Sequence, residues 1–289
     1  MSVDQLSTPL SKDDAYKLVD AVMERDDLAL TASAHENEAT GEWFFEAVCD
    51  SPPDLEAFSA LAQQTLGGAV QWSVTTLDPE VNWVAKSLEG LPPVIAGGFY
   101  VYGSHHEGAI PHGYTAMKID AAQAFGTGHH ETTTGCLEAI DRVLKRGRPR
   151  RLLDVGTGTG VLAIALAKRL KTPVIASDID PIAVTTTAEN AAINGVSRFI
   201  VPIEATGLNH PTIQAGAPYD MIVANILAGP LTALAPAMGR IAEPGASIIL
   251  SGILEHQSRG VIVAYARQGM VLVQKLQRKE WTTLMLQKR

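Results

Sequence analysis

The stretch RLLDVGTGTG (Arg151–Gly160) running into VLAIALAKRL (Val161–Leu170) decides the fold. Arg151 to Val155 is a short apolar run ending in an acid, Asp154, as a fully buried strand would. The glycines that follow let the backbone turn tightly and approach a ligand without Cβ atoms in the way. A helix is expected over Val161 to Leu170, and its first turn offers amide groups with no partner inside the helix.

The same strand–turn–helix rhythm continues downstream. Strands are expected at Val174–Ser177, Phe199–Pro202, Met221–Ala224 and Ala246–Ser251, with a helix over Pro181–Asn194 closed by Gly195. Val271–Lys275 and Thr282–Gln287 lie close enough to form an antiparallel hairpin around Lys279-Glu280. The expected fold is α/β: a Rossmann-like, mostly parallel sheet with an antiparallel C-terminal hairpin and helices on both faces. Such sheets bind ligands beyond the carboxyl ends of their strands.

Upstream the pattern differs. Asp13–Leu30 has helical spacing, Trp43–Cys49 is an aromatic strand, and Pro52-Pro53 opens a helix that Gly67-Gly68 closes. Val70–Leu77 reads as another strand. The expected organisation is an acidic α+β unit over 1–80, a helical, proline-broken linker over 81–94 that includes Asn82–Glu89, and the α/β domain over 95–289.

Charge follows the same division. The net charge is −8. Residues 1–100 hold 17 acids and 4 bases, and the remainder holds 14 acids and 19 bases. The acidic first part would repel a phosphate backbone and steer a basic protein toward itself, so a basic protein partner is expected and nucleic acid is not. Two cysteines, Cys49 and Cys136, are too few for a disulfide framework. No basic segment followed by an apolar run opens the chain, so no signal peptide is expected and the chain reads as cytoplasmic. Met221–Gly239 carries no charge, but two prolines make it a buried strand followed by a helix and not a membrane span.

Four groups of residues carry chemistry. In the first, Asp154-x-Gly156-x-Gly158-x-Gly160, the third glycine is Gly160, whereas a dinucleotide fingerprint would place it where Val161 stands. This spacing resembles the first motif of class I S-adenosylmethionine-dependent methyltransferases. The second is Asp178, at the next strand end, suited to accept hydrogen bonds from both ribose hydroxyls of an adenosine, whether of NAD or of S-adenosylmethionine. Asp180, just before Pro181, is read as a helix cap. The third is Asn225-Ile226-Leu227-Ala228, at the end of the fourth strand. The Asn225 side-chain oxygen and the Ile226 carbonyl suit holding an amine by its N–H groups with its lone pair aimed at an electrophile. The fourth is Ala124 to Thr133, AFGTGHHETT, a glycine-bracketed threonine loop able to wrap a small charged ligand. The pairs His105-His106 and His129-His130 do not make a metal site, because neighbours on an extended segment point to opposite faces. No metal is expected.

Taken together, Ala124–Thr133, Asp154–Gly160 and Asn225–Leu231, with Asn82-Trp83-Val84 and the Trp281–Leu286 terminus, resemble the ribosomal protein L-eleven methyltransferase family (PrmA-type). The resemblance covers roughly Trp83 to Arg289. It implies methyl transfer from S-adenosylmethionine to lysine ε-amines and the N-terminal α-amine of that large-subunit, stalk-base ribosomal protein. It implies donor contacts from Thr133, Gly156, Asp178 and Asn225, with Phe125, Gly126 and Thr127 lining the same pocket and Asp154 and Gly158 in the turn. It also implies that the N-terminal domain grips the substrate.

Overall fold

The computed structural model describes residues 3–23, 25, 28–36, 40–49, 52–77, 93–103, 106, 108–119 and 130–289. The chain divides into two compact units, residues 1–83 and 84–289. Most of the expected linker, with the Asn82–Glu89 helix, lies outside the described residues. Val94, its last residue, already belongs to a strand.

The first unit is a four-stranded antiparallel sheet in the order β2-β3-β1-β4, with β1 Val3–Leu10, β2 Thr31–Glu36, β3 Trp43–Cys49 and β4 Ser73–Leu77. Along β3 the burial alternates, so Phe45, Ala47 and Cys49 face the helices Lys12–Met23 and Leu55–Leu66. Phe45 and Phe58 are fully buried, each contributing roughly 2 kcal/mol of apolar burial. Asp54 caps the second helix by accepting from the Ala57 amide at 3.0 Å. Gly67, in the left-handed region at φ 75°, ends it. The first helix stops at Met23, short of the expected Leu30. Leu28 still reaches the core, but from a turn, and the Leu30 amide has joined the sheet by donating to the Val48 carbonyl.

The second unit is built on a seven-stranded sheet in the order β10-β9-β8-β11-β12-β14-β13. Its strands are β8 Leu152–Val155, β9 Val174–Asp178, β10 Ile200–Glu204, β11 Tyr219–Asn225, β12 Ala242–Leu254, β13 Met270–Arg278 and β14 Trp281–Lys288. The first five in chain order run parallel, and β14 pairs antiparallel with both β12 and β13. Central strand β8 is buried along its whole length, Asp154 included. Separate apolar clusters cover the two faces, one around Leu137, Ile140 and Leu166, the other around Leu231, Met238 and Tyr265. The uncharged stretch splits into β11 and the helix Ala228–Ile241. Among the described residues no helix is long and apolar enough to cross a membrane.

Two features were not expected from the sequence. Strand β12 has 13 residues and its register with β14 breaks between Leu250 and Ile253, around Gly252. A small three-stranded sheet, β5 Val94–Ala96, β6 Phe99–Tyr102 and β7 Thr115–Lys118, precedes the large one. It packs by Phe99 and Met117 against the first apolar cluster.

Candidate active site

The site forms where β8, β9 and β11 end. Gly156, Gly158 and Gly160 all have left-handed φ angles, 68°, 55° and 81°. The Ser177 carbonyl at the tip of β9 accepts from the amides of Gly156 (2.8 Å) and Thr157 (3.0 Å). The Gly158 amide donates to Asp178 Oδ2 at 2.8 Å. From the following helix, the Thr187 hydroxyl donates to the Gly158 carbonyl and the Asn190 amide to the Thr159 carbonyl, both at 2.9 Å. The glycine turn is therefore fixed from both sides.

Gly160 supplies no side chain to cap the helix it opens. Asp154 takes that role from the preceding strand. Its Oδ2 accepts from the Ala163 amide (3.0 Å) and the Thr157 hydroxyl (2.8 Å). Its Oδ1 is buried with no partner. Burial pushes this carboxyl up to about 7, against the hydrogen bonds from Thr157 and Ala163.

Asp178 accepts one amide on each oxygen, Gly158 on Oδ2 and Asp180 on Oδ1 at 3.1 Å. Each carboxylate oxygen keeps a further lone pair. Asp180 behaves as read from the sequence: its Oδ1 accepts from the Ile182 amide at 2.8 Å, capping the helix that Pro181 opens.

Asn225 ends β11, and its side-chain amide donates to the Thr132 hydroxyl at 3.3 Å. Ile226 is enclosed by two glycines. A Cβ on Gly156 would stand 2.2 Å from Ile226 Cγ2, and one on Gly252 would stand 2.4 Å from the Ile226 carbonyl oxygen. Gly252, at φ 80°, is thus the residue that lets β12 pack directly against the Ile226 backbone. Behind Asn225, the Ser251 hydroxyl reaches the Thr132 carbonyl (3.4 Å) and lies 2.8 Å from the Thr283 hydroxyl. Gly135 lets the helix His130–Arg146 close onto the sheet, since a Cβ there would meet Thr283 Oγ1 at 2.2 Å.

Asp154, Gly156, Gly158, Asp178, Asn225 and Ile226 thus all lie at the neighbouring ends of β8, β9 and β11. Thr133 lies half-buried on the helix His130–Arg146, beside Thr132. Phe125, Gly126 and Thr127 lie outside the described residues. Sequence reasoning passed over Ser251, Gly252 and Thr283, and it included Thr132 only as part of the threonine loop. The available signal was Ser251-Gly252, a glycine directly after a strand, which marks a bulge or a close backbone approach. Among the described residues no three His, Cys, Asp or Glu side chains are grouped to hold a metal ion.

Whether a methyl donor suits this crevice can be judged from its walls. The unpartnered buried oxygen of Asp154 calls for a hydrogen-bond donor, and Gly158, at φ 55°, keeps its part of the turn free of a side chain. Asp178 offers two acceptors at the rim. The residues fit. Sheet order, glycine turn and strand-tip carboxylate together define a class I S-adenosylmethionine-dependent methyltransferase.

The comparisons with known proteins narrow the class. The family model described as ribosomal protein L11 methyltransferase (PrmA) matches residues 10–289, and the chain belongs to that family. A ribosomal protein L11 methyltransferase of Rhodopseudomonas palustris is 44% identical over 276 residues, covering 95% of this chain and 89% of the relative. One from Brucella suis is 51% identical over 208 residues, covering 72% of this chain and 73% of its own length. The crystal structure of a ribosomal protein L11 methylase from Lactobacillus delbrueckii subsp. bulgaricus superposes with a TM-score of 0.60 at 28% identity, covering 66% of this chain and 96% of that one.

Proposed function

We propose that this chain methylates the large-subunit ribosomal protein named by its family, at lysine ε-amines and the N-terminal α-amine, in the cytoplasm. The observation that carries the reading is Ile226, next to Asn225 at the end of β11, with its Cγ2 packed against the glycine turn where a Gly156 side chain would be.

When bound, S-adenosylmethionine supplies an electrophilic methyl group on a sulfonium. The residues that would hold it are Asp178 at its ribose hydroxyls, the Gly156 and Gly158 backbone, Asp154 through its unpartnered oxygen, and Thr133 with Phe125, Gly126 and Thr127. Asn225 borders the same pocket. Free lysine titrates near 10.4, so the site must present the uncharged amine. The Asn225 side-chain oxygen and the Ile226 carbonyl accept the amine's N–H groups and leave its lone pair pointing outward. Gly252, packed against the Ile226 backbone, holds that carbonyl in place. No strong base is needed, because positioning and exclusion of water supply most of the rate.

The acidic N-terminal unit is the substrate grip. Its charge complements a basic ribosomal protein and speeds encounter at low salt. The test is intact-mass spectrometry of the purified ribosomal protein after incubation with this chain and S-adenosylmethionine. Mass gains in ~14 Da steps are expected. An unchanged mass would overturn the reading.

A further inference from the structure

We propose that the rim beneath the large sheet, at the strand ends opposite the crevice, docks the phosphate backbone of RNA. The run Lys145-Arg146-Gly147-Arg148-Pro149-Arg150-Arg151 connects the helix His130–Arg146 to β8 and places five cations there. Lys145 pairs with Asp141 at 2.6 Å, and Arg151 pairs with Glu243. Arg146, Arg148 and Arg150 are exposed and have no carboxylate partner among the described residues. The carboxylates beside them are already engaged. Asp141 also holds Arg169 at 3.2 Å, and Asp220 accepts the backbone amides of Arg150 (2.8 Å) and Arg151 (2.9 Å). Those last two bonds fix the backbone that carries the free guanidinium groups.

Topology adds to this charge. Each helix that follows a parallel strand returns its C-terminus to the same rim. The helices Val161–Leu170, Ala228–Ile241 and Ser258–Ala266 thereby bring exposed Lys171, Arg240 and Arg267 there, and the end of β14 brings Arg289. Favourable interaction with a helix dipole accounts for a cation at each of these helix C-termini. It does not account for Arg148 and Arg150, which lie beyond the helix end. A cleft of about 310 Å³ opens beside Arg146 and Arg148, lined also by Pro149, Ser247, Gln287 and Asp220, whose carboxylate is engaged by the Arg150 and Arg151 amides.

Planar guanidinium forks match phosphate oxygens. The cations flank a concavity, which a phosphodiester strand can thread and a flat bilayer surface cannot. The expected repulsion of nucleic acid rests on residues 1–100, whereas this rim belongs to the other unit. It lies roughly 20 Å from Asn225 along β11, so docking there leaves the crevice open. The choice of RNA over another polyanion rests on the functional reading above, because a ribosomal protein is destined to lie against RNA.

Fluorescence anisotropy with a labelled single-stranded RNA of about 20 nucleotides tests this on the full chain. If three phosphates are neutralised, log K falls with log salt at a slope near −2, about a twentyfold loss between about 50 and 200 mM salt. Reversing Arg146→Glu, Arg148→Glu and Arg150→Glu together is expected to weaken binding more than tenfold and flatten the slope. The milder triple change to Gln is expected to weaken it less while keeping the melting temperature. No binding at low salt, or binding that the reversal leaves intact, overturns the proposal. So does equal arginine-dependent binding to vesicles of anionic lipid, which would assign the rim to a membrane. Methyl transfer to the free ribosomal protein is read separately, and the triple variants are expected to retain it. A fall there would make the rim part of substrate docking and overturn the RNA assignment. Absence of methylation in the unaltered chain would sink the functional reading and leave the RNA result standing.

Discussion

The side-chain amide of Asn225 donates to the hydroxyl of Thr132, 93 positions earlier in the chain, at 3.3 Å. That bond fixes which way the asparagine presents itself. With its N–H group turned to the helix His130–Arg146, its oxygen is left as the acceptor.

Replacing Asn225→Ala is therefore expected to cut the single-turnover rate of methyl transfer by about 100-fold, the scale of one lost positioned hydrogen-bonding group. Donor affinity, measured by calorimetry, should change little, because Asp178 and the glycine turn are untouched. Parallel losses in rate and affinity would remove the asparagine from the amine site.

Gly252→Ala would place a Cβ 2.4 Å from the Ile226 carbonyl oxygen on a backbone at φ 80°. The clash and the left-handed strain together are expected to cost about 2–3 kcal/mol. The rate should fall further than that loss of stability explains. Gly245→Ala is the control, since it shares the positive φ, 88°, with nothing within 4 Å. It should lose stability and keep its rate. Thermal melts and kcat on both variants decide the matter, and equal kcat in the two would show that the carbonyl is not used.

Asp154 gives a pH prediction. Its folded carboxyl lies at about 7 against a usual 3.8, because burial disfavours the charged form. Between those values the folded state holds a proton that the unfolded state has released, so stability falls as pH rises across that window. The full effect is roughly 4 kcal/mol, lost by about pH 7. Asp154→Asn cannot ionise and should show a flatter stability profile from pH 4 to 7 in denaturant titrations. Identical slopes would mean that the carboxylate finds compensation in the folded state.

The N-terminal unit has its own apolar core, around Leu6, Leu18, Phe45 and Phe58. Removing residues 1–78 is expected to leave donor binding within a factor of about two while abolishing methylation of the ribosomal protein. Full activity of the shortened chain would show that the substrate is gripped elsewhere.

Much of this fold was legible because its signals are local. The helix Val161–Leu170 was found with its true ends, since Gly160 and the polar residues after Leu170 punctuate it. Pro181 marked Asp180 in advance as the cap of the helix it opens. Strand β1 was passed over because Asp4, Ser7 and Thr8 dilute its apolar alternation, although Asp4 and Thr8 are buried. The bulge in β12 and the Ser251–Thr283 contact depend on pairing with β14, which no window of the sequence reports. Within TTT, nothing in the string distinguishes Thr132 from Thr133; helical phase against the sheet does.

The enclosure of Ile226 between two side-chain-free positions has a practical meaning for anyone retargeting this catalyst. Residues 156 and 252 act as fixed jaws, so diversity introduced at either one will jam the loop instead of reshaping it. The adjustable position is one step along, at Leu227, which is 54% exposed, where libraries can vary the surface without disturbing the grip behind it.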